Sequence, residues 1–138
     1  MIKKILVPTD GSGYSRRALK TAVEYSKVFG AEIEILHVVS EPLGIYDFNL
    51  YHVTDEQLEE AGKRIMAATS KDLDLSEVSF KSKVVSGYPA SEIINAANDN
   101  VDLIVIGSQG RRPLVGALLG SVTQRVLAVT RCPVLVVK

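Results

Sequence analysis

The sequence has a single cysteine, Cys132, in 138 residues. One thiol excludes an internal disulfide framework and suits a reducing compartment. Excess charge of either sign is missing too: 16 Lys+Arg balance 16 Asp+Glu, for a formal net charge of +0. Binding nucleic acid by general electrostatic attraction needs surplus positive charge, so no nucleic-acid partner is expected. Long apolar runs are lacking. Leu103–Ile106 and Val134–Val137 are far short of the ~20 residues a membrane-spanning helix needs. The opening Met1-Ile2-Lys3-Lys4-Ile5-Leu6-Val7-Pro8 has too short an apolar stretch for a signal peptide and reads as a first strand. A cytoplasmic protein without membrane contact is the expectation.

What is present fits an ordinary globular chain, with 46% hydrophobic and 23% charged residues. A chain of this size hides roughly 68% of its unfolded surface, enough for a core without staples. One domain spanning 1–138 is expected.

Short apolar runs alternate with helix-period segments, the pattern of a βαβ protein with a parallel sheet. Strands are expected at Lys4–Thr9, Glu32–Val39, Val78–Val85, Asp102–Gly107 and Pro133–Val137. Between them lie helices at Tyr14–Phe29, at Thr54 to about Asp72, at Ala90–Asn98 and at Val122–Val129. Gly30 stands where a left-handed C-cap belongs, and Thr54-Asp55-Glu56-Gln57 is a capping box. A loop rich in Pro, Gly and aromatics, Ser40–Val53, precedes that box.

The strand at Val78–Val85 alternates apolar and polar residues, as an edge strand with one partly wet face does. Ile5-Leu6-Val7 and Leu103-Ile104-Val105-Ile106 are continuous apolar runs, which suits the buried middle of a parallel sheet. With right-handed crossovers the simplest strand order, numbered along the chain, is 3-2-1-4-5. The fold class is therefore α/β: a three-layer α/β/α sandwich around a five-stranded parallel sheet. Ligands of such folds bind outside the carboxyl ends of the strands where the order reverses. Here that point is flanked by Pro8-Thr9-Asp10-Gly11 and by Gly107-Ser108-Gln109-Gly110.

Gly11-Ser12-Gly13 begins like a dinucleotide fingerprint, but Arg16 stands where its third glycine belongs. The Walker phosphate loop is absent. Gly107, Gly110, Gly120 and Ser121 are more informative, because glycines and a following helix N-terminus let backbone amides approach an anion. The same glycines also suit an ordinary loop. Ser121 and Thr123 can add hydroxyl donors there. Asp10 reads either as a turn or cap residue or as an acceptor for a sugar hydroxyl or an amine. Arg111-Arg112 reads either as a phosphate contact or as a solvated pair. His37 and His52 lack companions spaced for a metal, Ser12 and Ser15 lack a nucleophile elbow, and Cys132 lacks an activating neighbour.

Several blocks, in order, resemble the universal stress proteins: Lys3–Ser12, Leu36-His37-Val38, Gly87-Tyr88-Pro89, Asp102–Ser108, Leu119–Val122 and Cys132–Val137. The ATP-binding branch of that family carries G-x2-G-x9-G-[ST], and Gly107, Gly110, Gly120 and Ser121 match each fixed position. The resemblance implies a Rossmann-like fold of the adenine nucleotide alpha hydrolase type. It implies a homodimer joined through the last strand, Pro133–Val137, and ATP held with Mg2+ or Mn2+ through its phosphates. Pro8, Thr9 and Asp10 would line the adenosine side, and Val38 would hold adenine through its backbone. Ile106, Gly107, Ser108 and Gly110 would border the ribose and first phosphate; Gly120, Ser121, Val122 and Thr123 would cradle the phosphates. Gln109 and Arg111-Arg112-Pro113 depart from the small or basic residues common there. The function so implied is a nucleotide-dependent stress-response or signalling module with an unidentified protein partner. No residue is assigned as catalytic, and hydrolysis of ATP is expected to be slow or partner-dependent. A small adenine-nucleotide hydrolase and a nucleotide-free partner-binding dimer are the alternatives.

Overall fold

The computed structural model describes residues 1–40 and 53–138. Its strands are β1 (Lys4–Pro8), β2 (Glu32–Ser40), β3 (Phe80–Gly87), β4 (Leu103–Gly107) and β5 (Val134–Val137). Its helices are α1 (Gly13–Phe29), α2 (Asp55–Ser70), α3 (Pro89–Ala97) and α4 (Ser121–Val129). All pairings are parallel and the order is β3-β2-β1-β4-β5, as the sequence pattern predicts. Residues 41–52, most of the expected Pro- and Gly-containing loop, lie outside the described residues, and so does His52.

Side chains alternate across the sheet and split the core in two. Ile5, Val7, Ile33, Ile35 and Val105 pack with Leu19, Ala22 and Val23 of α1. On the other face, Leu6, Leu36, Val38, Ile104 and Ile106 pack with Ile93 of α3 and Val126 of α4. The central strands are buried on both faces, which explains their unbroken apolar sequences.

Local chemistry sets the helix ends. The Ser12 hydroxyl accepts the Ser15 amide, and the Gly30 amide closes α1 on the Ser26 carbonyl. Thr54 and Gln57 form the expected reciprocal capping box of α2. Strand β3 departs from the expectation, starting at Phe80 rather than Val78. The Val78 amide closes a turn on the Leu75 carbonyl, so pairing with β2 begins two residues later, at Ile33↔Phe80. Its first half, Phe80 to Lys83, is exposed on both faces rather than one, and Phe80 keeps 42% of its surface.

Candidate functional site

Strands β1 and β4 diverge beyond Pro8 and Gly107, because α1 leaves on one face and the chain from β4 heads for α4 on the other. They leave a crevice of about 560 Å3 at the carboxyl ends of the strands, where the order reverses. Pro8, Thr9, Asp10, Val38, Ile106, Gly107, Gly110, Gly120, Ser121, Val122 and Thr123 all border it. Ser108 does not. It is buried under the loop, its amide bonded to Val137 O at 2.7 Å and its carbonyl accepting the Gly120 amide at 2.7 Å.

Asp10 anchors the floor. Its Oδ1 accepts the Ser12 amide at 3.0 Å and the Ser15 hydroxyl at 2.9 Å, and its Oδ2 accepts the Arg111 amide at 2.8 Å. The bond to Ser12 is the turn role that the bare sequence offered. Burial alone would raise the Asp10 carboxyl, but hydrogen bonds from Ser12, the Arg111 amide and Ser15 outweigh it and hold the group below the usual carboxylate range. A carboxylate has about four acceptor sites, and three are used here. Among the described residues, Oδ2 accepts from the Arg111 amide alone.

Thr9 is committed as well. Thr69 Oγ1 donates to Ile65 O at 2.7 Å, so in the 2.6 Å contact between Thr9 and Thr69 the Thr9 hydroxyl is the donor. The Gly11 amide in turn donates to Thr9 Oγ1 at 3.1 Å. A chain of three hydrogen bonds, two of them buried, thus ties the end of β1 to α2. Thr9 N donates to Leu36 O. Period-two alternation therefore turns the N–H and C=O of Val38 toward the side where β1 has ended, leaving one donor and one acceptor on the crevice wall.

The glycines have jobs beyond admitting an anion. A Cβ on Gly110 would stand 2.5 Å from Asp10 Oδ2, and one on Gly107 would stand 2.8 Å from Tyr14 Cβ. At Gly120 it would meet Gln109 Oε1 at 3.0 Å and Gln109 Cα at 3.3 Å. Gln109, a departure from the family pattern, organises the loop from within. Its Oε1 accepts the Leu114 amide and its Nε2 donates to Ala117 O. Two expected donors also turn out to be occupied. The Thr123 hydroxyl donates to Gly107 O at 2.8 Å, and the Gly120 amide is held by Ser108.

What remains at this end is the first turn of α4. Its cap, Gly120, has no side chain to bond the free amides of Ser121, Val122 and Thr123. Such a helix start favours negative charge. Arg111 and Arg112 border the crevice, and so does Arg64 of α2, which the sequence reading missed. Its signal was its spacing, three residues after Ala61, another crevice residue on the same helix face. Among the described residues, no carboxylate lies within 4.0 Å of these three guanidinium groups. Among the described residues, a chain of zero net charge thus gathers three cations around one carboxylate at its crevice. Also among the described residues, no group of three or more His, Cys, Asp or Glu is placed to hold a metal ion, and no helix is long and apolar enough to cross a membrane.

Together the sheet order and the crevice define a doubly wound parallel α/β protein with an open crevice at the switch point. Comparison with known proteins narrows this class. The model of the universal stress protein family matches residues 1–138, and the chain belongs to that family. It is 38% identical to universal stress protein MJ0531 of Methanocaldococcus jannaschii, an alignment covering 100% of this chain and 83% of that one. The solved structure of MJ0577, from the same organism, superposes with a TM-score of 0.81 at 36% identity, covering 100% of this chain and 96% of that one. A universal stress protein crystallised in complex with cAMP superposes with a TM-score of 0.65 at 28% identity, covering 99% and 97% of the two chains.

Proposed function

We propose that this chain is an ATP-binding universal stress protein, a cytoplasmic module whose contacts with partners depend on bound nucleotide. The observation that carries the reading is one crevice holding three complementary parts. The donor and acceptor on the Val38 backbone suit the edge of an adenine. The open site on Asp10 Oδ2 suits a nucleoside hydroxyl or amine. The free amides of α4, with Arg64, Arg111 and Arg112 nearby, suit a chain of phosphates. The adenine nucleotide bound by the cAMP-complexed relative supports the same reading.

Mg2+ or Mn2+ would be carried by the phosphates, for which the donor set of the crevice leaves the ligand's own oxygens. Among the described residues the crevice offers no carboxylate beyond Asp10 to activate water, and on this reading hydrolysis is slow or awaits a partner. Nucleotide orders the Gly107–Gly120 loop, and the ordered loop alters the surface a partner meets.

The test joins mass spectrometry of small molecules released from the purified protein to thermal melts with MgATP. A co-purifying adenine nucleotide and a raised melting temperature are expected. At 100 times Kd a ligand specific for the folded state adds about 2.7 kcal/mol. No released nucleotide and an unmoved melt would leave the partner-binding dimer, and rapid turnover would point to the hydrolase.

A further inference from the structure

We infer that His37 is a specificity-determining residue of the crevice, with its Nε2 accepting a hydrogen bond from an N–H or O–H group on the nucleoside part of the ligand. The inference rests on the nucleotide reading above and names a recognition atom within it.

His37 follows Ile33 and Ile35 at period two on β2, so it projects from the sheet face covered by α1 and α2. Its Nδ1 lies 2.8 Å from the backbone oxygen of Thr9. A carbonyl can only accept, so Nδ1 carries the hydrogen. In the neutral ring, Nε2 then carries the lone pair. Thr9 cannot drift away from this contact, because its amide is bonded to Leu36 O and its hydroxyl to Thr69. The ring is thereby held in one tautomer and one orientation.

Nε2 has no hydrogen-bond partner among the described residues, and none of their buried side-chain nitrogens or oxygens lacks one. Toward the described residues Nε2 is therefore open, and the space His37 borders is the crevice. The same tautomer suits a metal-bound imidazole, but among the described residues no companion ligands are grouped with it.

The balance of groups in the crevice gives Nε2 its role. The α4 amides and the guanidinium groups of Arg64, Arg111 and Arg112 are donors, matched to phosphate oxygens. A nucleoside also brings donors of its own, in its sugar hydroxyls and its exocyclic amine. Among the described residues lining the crevice, the side-chain acceptors that are not hydroxyls and keep a free position are few: Asp10 Oδ2 and His37 Nε2, beside the hydroxyls of Ser40 and Ser121. A polar site that pairs a ligand donor rejects analogues lacking it, because its own acceptor is left unpaired.

The experiment is calorimetry at about pH 8, where an ordinary imidazole is neutral. The ligands are MgATP, its 2′-deoxy and 3′-deoxy forms, and purine riboside triphosphate, which lacks the exocyclic amine. The proteins are wild type, His37→Asn and His37→Gln. Asparagine puts an amide nitrogen where Nδ1 stands, keeping the bond to Thr9 O while removing Nε2. Glutamine brings a carbonyl oxygen toward the Nε2 position. Wild type should bind one analogue about tenfold more weakly than ATP, and that analogue names the donor as hydroxyl or amine. His37→Asn should lose about tenfold in ATP affinity together with that discrimination, and His37→Gln should recover part of it. A folded His37→Asn variant that keeps the wild-type discrimination, whatever its affinity, overturns the inference. Nitrogen NMR of the wild-type imidazole gives an answer even if the variants fail to fold. The Nε2 resonance should move when MgATP is added while Nδ1 stays, and an unmoved Nε2 overturns the inference. Wild-type protein that binds none of these nucleotides defeats the nucleotide reading itself, an outcome visible before any variant is made.

Discussion

The carboxylate of Asp10 holds the backbone amide of Arg111, 101 residues further along the chain, at 2.8 Å. Through this contact the turn after β1 fixes the start of the glycine-bearing loop after β4. Asp10→Asn should destabilise the protein by about 1–2 kcal/mol, since a full acceptor is replaced by one half of an amide. The effect should depend on pH. The Asp10 carboxyl titrates below its ordinary value, so its contribution is whole above the unfolded value of about 3.9. It fades as pH falls through the lower folded value. Urea melts of both proteins should therefore differ at pH 7 and converge below about pH 4. A constant difference across that range would show that Asp10 acts without its charge.

Gly120→Val should both weaken nucleotide binding and disturb the protein itself. The contacts to Gln109 put the cost of the added side chain at about 1–3 kcal/mol, read as a lowered melting temperature. Gly110→Ala should have a more selective effect. Its methyl displaces the Asp10 carboxylate and with it the Arg111 amide, so proteolysis within the loop should quicken while the core persists. A Gly110→Ala protein cleaved no faster than wild type would show that the loop keeps its place without Asp10.

The relay from Gly11 through Thr9 and Thr69 to Ile65 predicts an asymmetry. Thr69→Val leaves the buried Thr9 hydroxyl without its acceptor and should cost about 1–3 kcal/mol in chemical denaturation. The double variant Thr9→Val, Thr69→Val removes both hydroxyls and should be less damaging than the two single effects added together. Strict additivity would mean the two hydroxyls are uncoupled.

Strand β5 is the edge of the sheet beside β4, and Val134–Val137 are half-buried. Leu135 and Val137 pack toward the α1 side, Val134 and Val136 toward α3 and α4, so both faces are covered, while among the described residues no strand pairs with the outer edge. Proteins usually cover or blunt such a row. We expect an antiparallel, self-complementary pairing of two β5 strands about a two-fold axis. Light scattering should report a dimer for wild type and a monomer for a folded Val136→Lys variant. A monomeric wild type at micromolar concentration would refute the interface.

Most of the fold was legible because it rests on local signals. Apolar periodicity placed the strands, the Thr54–Gln57 box and Gly30 placed helix ends, and the continuous runs at β1 and β4 fixed the centre of the sheet. The position of the crevice followed from strand order alone. The inner wiring of the crevice did not, since it joins residues remote in sequence. The role of Gly110 depends on Asp10, that of Gly107 on Tyr14, and the Thr123 hydroxyl is claimed by Gly107 O. No spacing rule marks such pairs. Arg64 was hidden for a related reason, and His37, weighed in the sequence only as a metal ligand, joins the crevice only once the elements are assembled.

Gln109 supports its loop from inside, so the outer residues of that loop face water, Val115 fully and Leu114 and Leu118 in large part. The chain's one native thiol is elsewhere, half-buried at Cys132, where burial and the charge of Asp102 push its pKa up and slow alkylation. The protein thus has a built-in place for an optical reporter. A cysteine substituted at Val115 reacts ahead of Cys132, and a dye there reads loop motion in real time without touching the crevice.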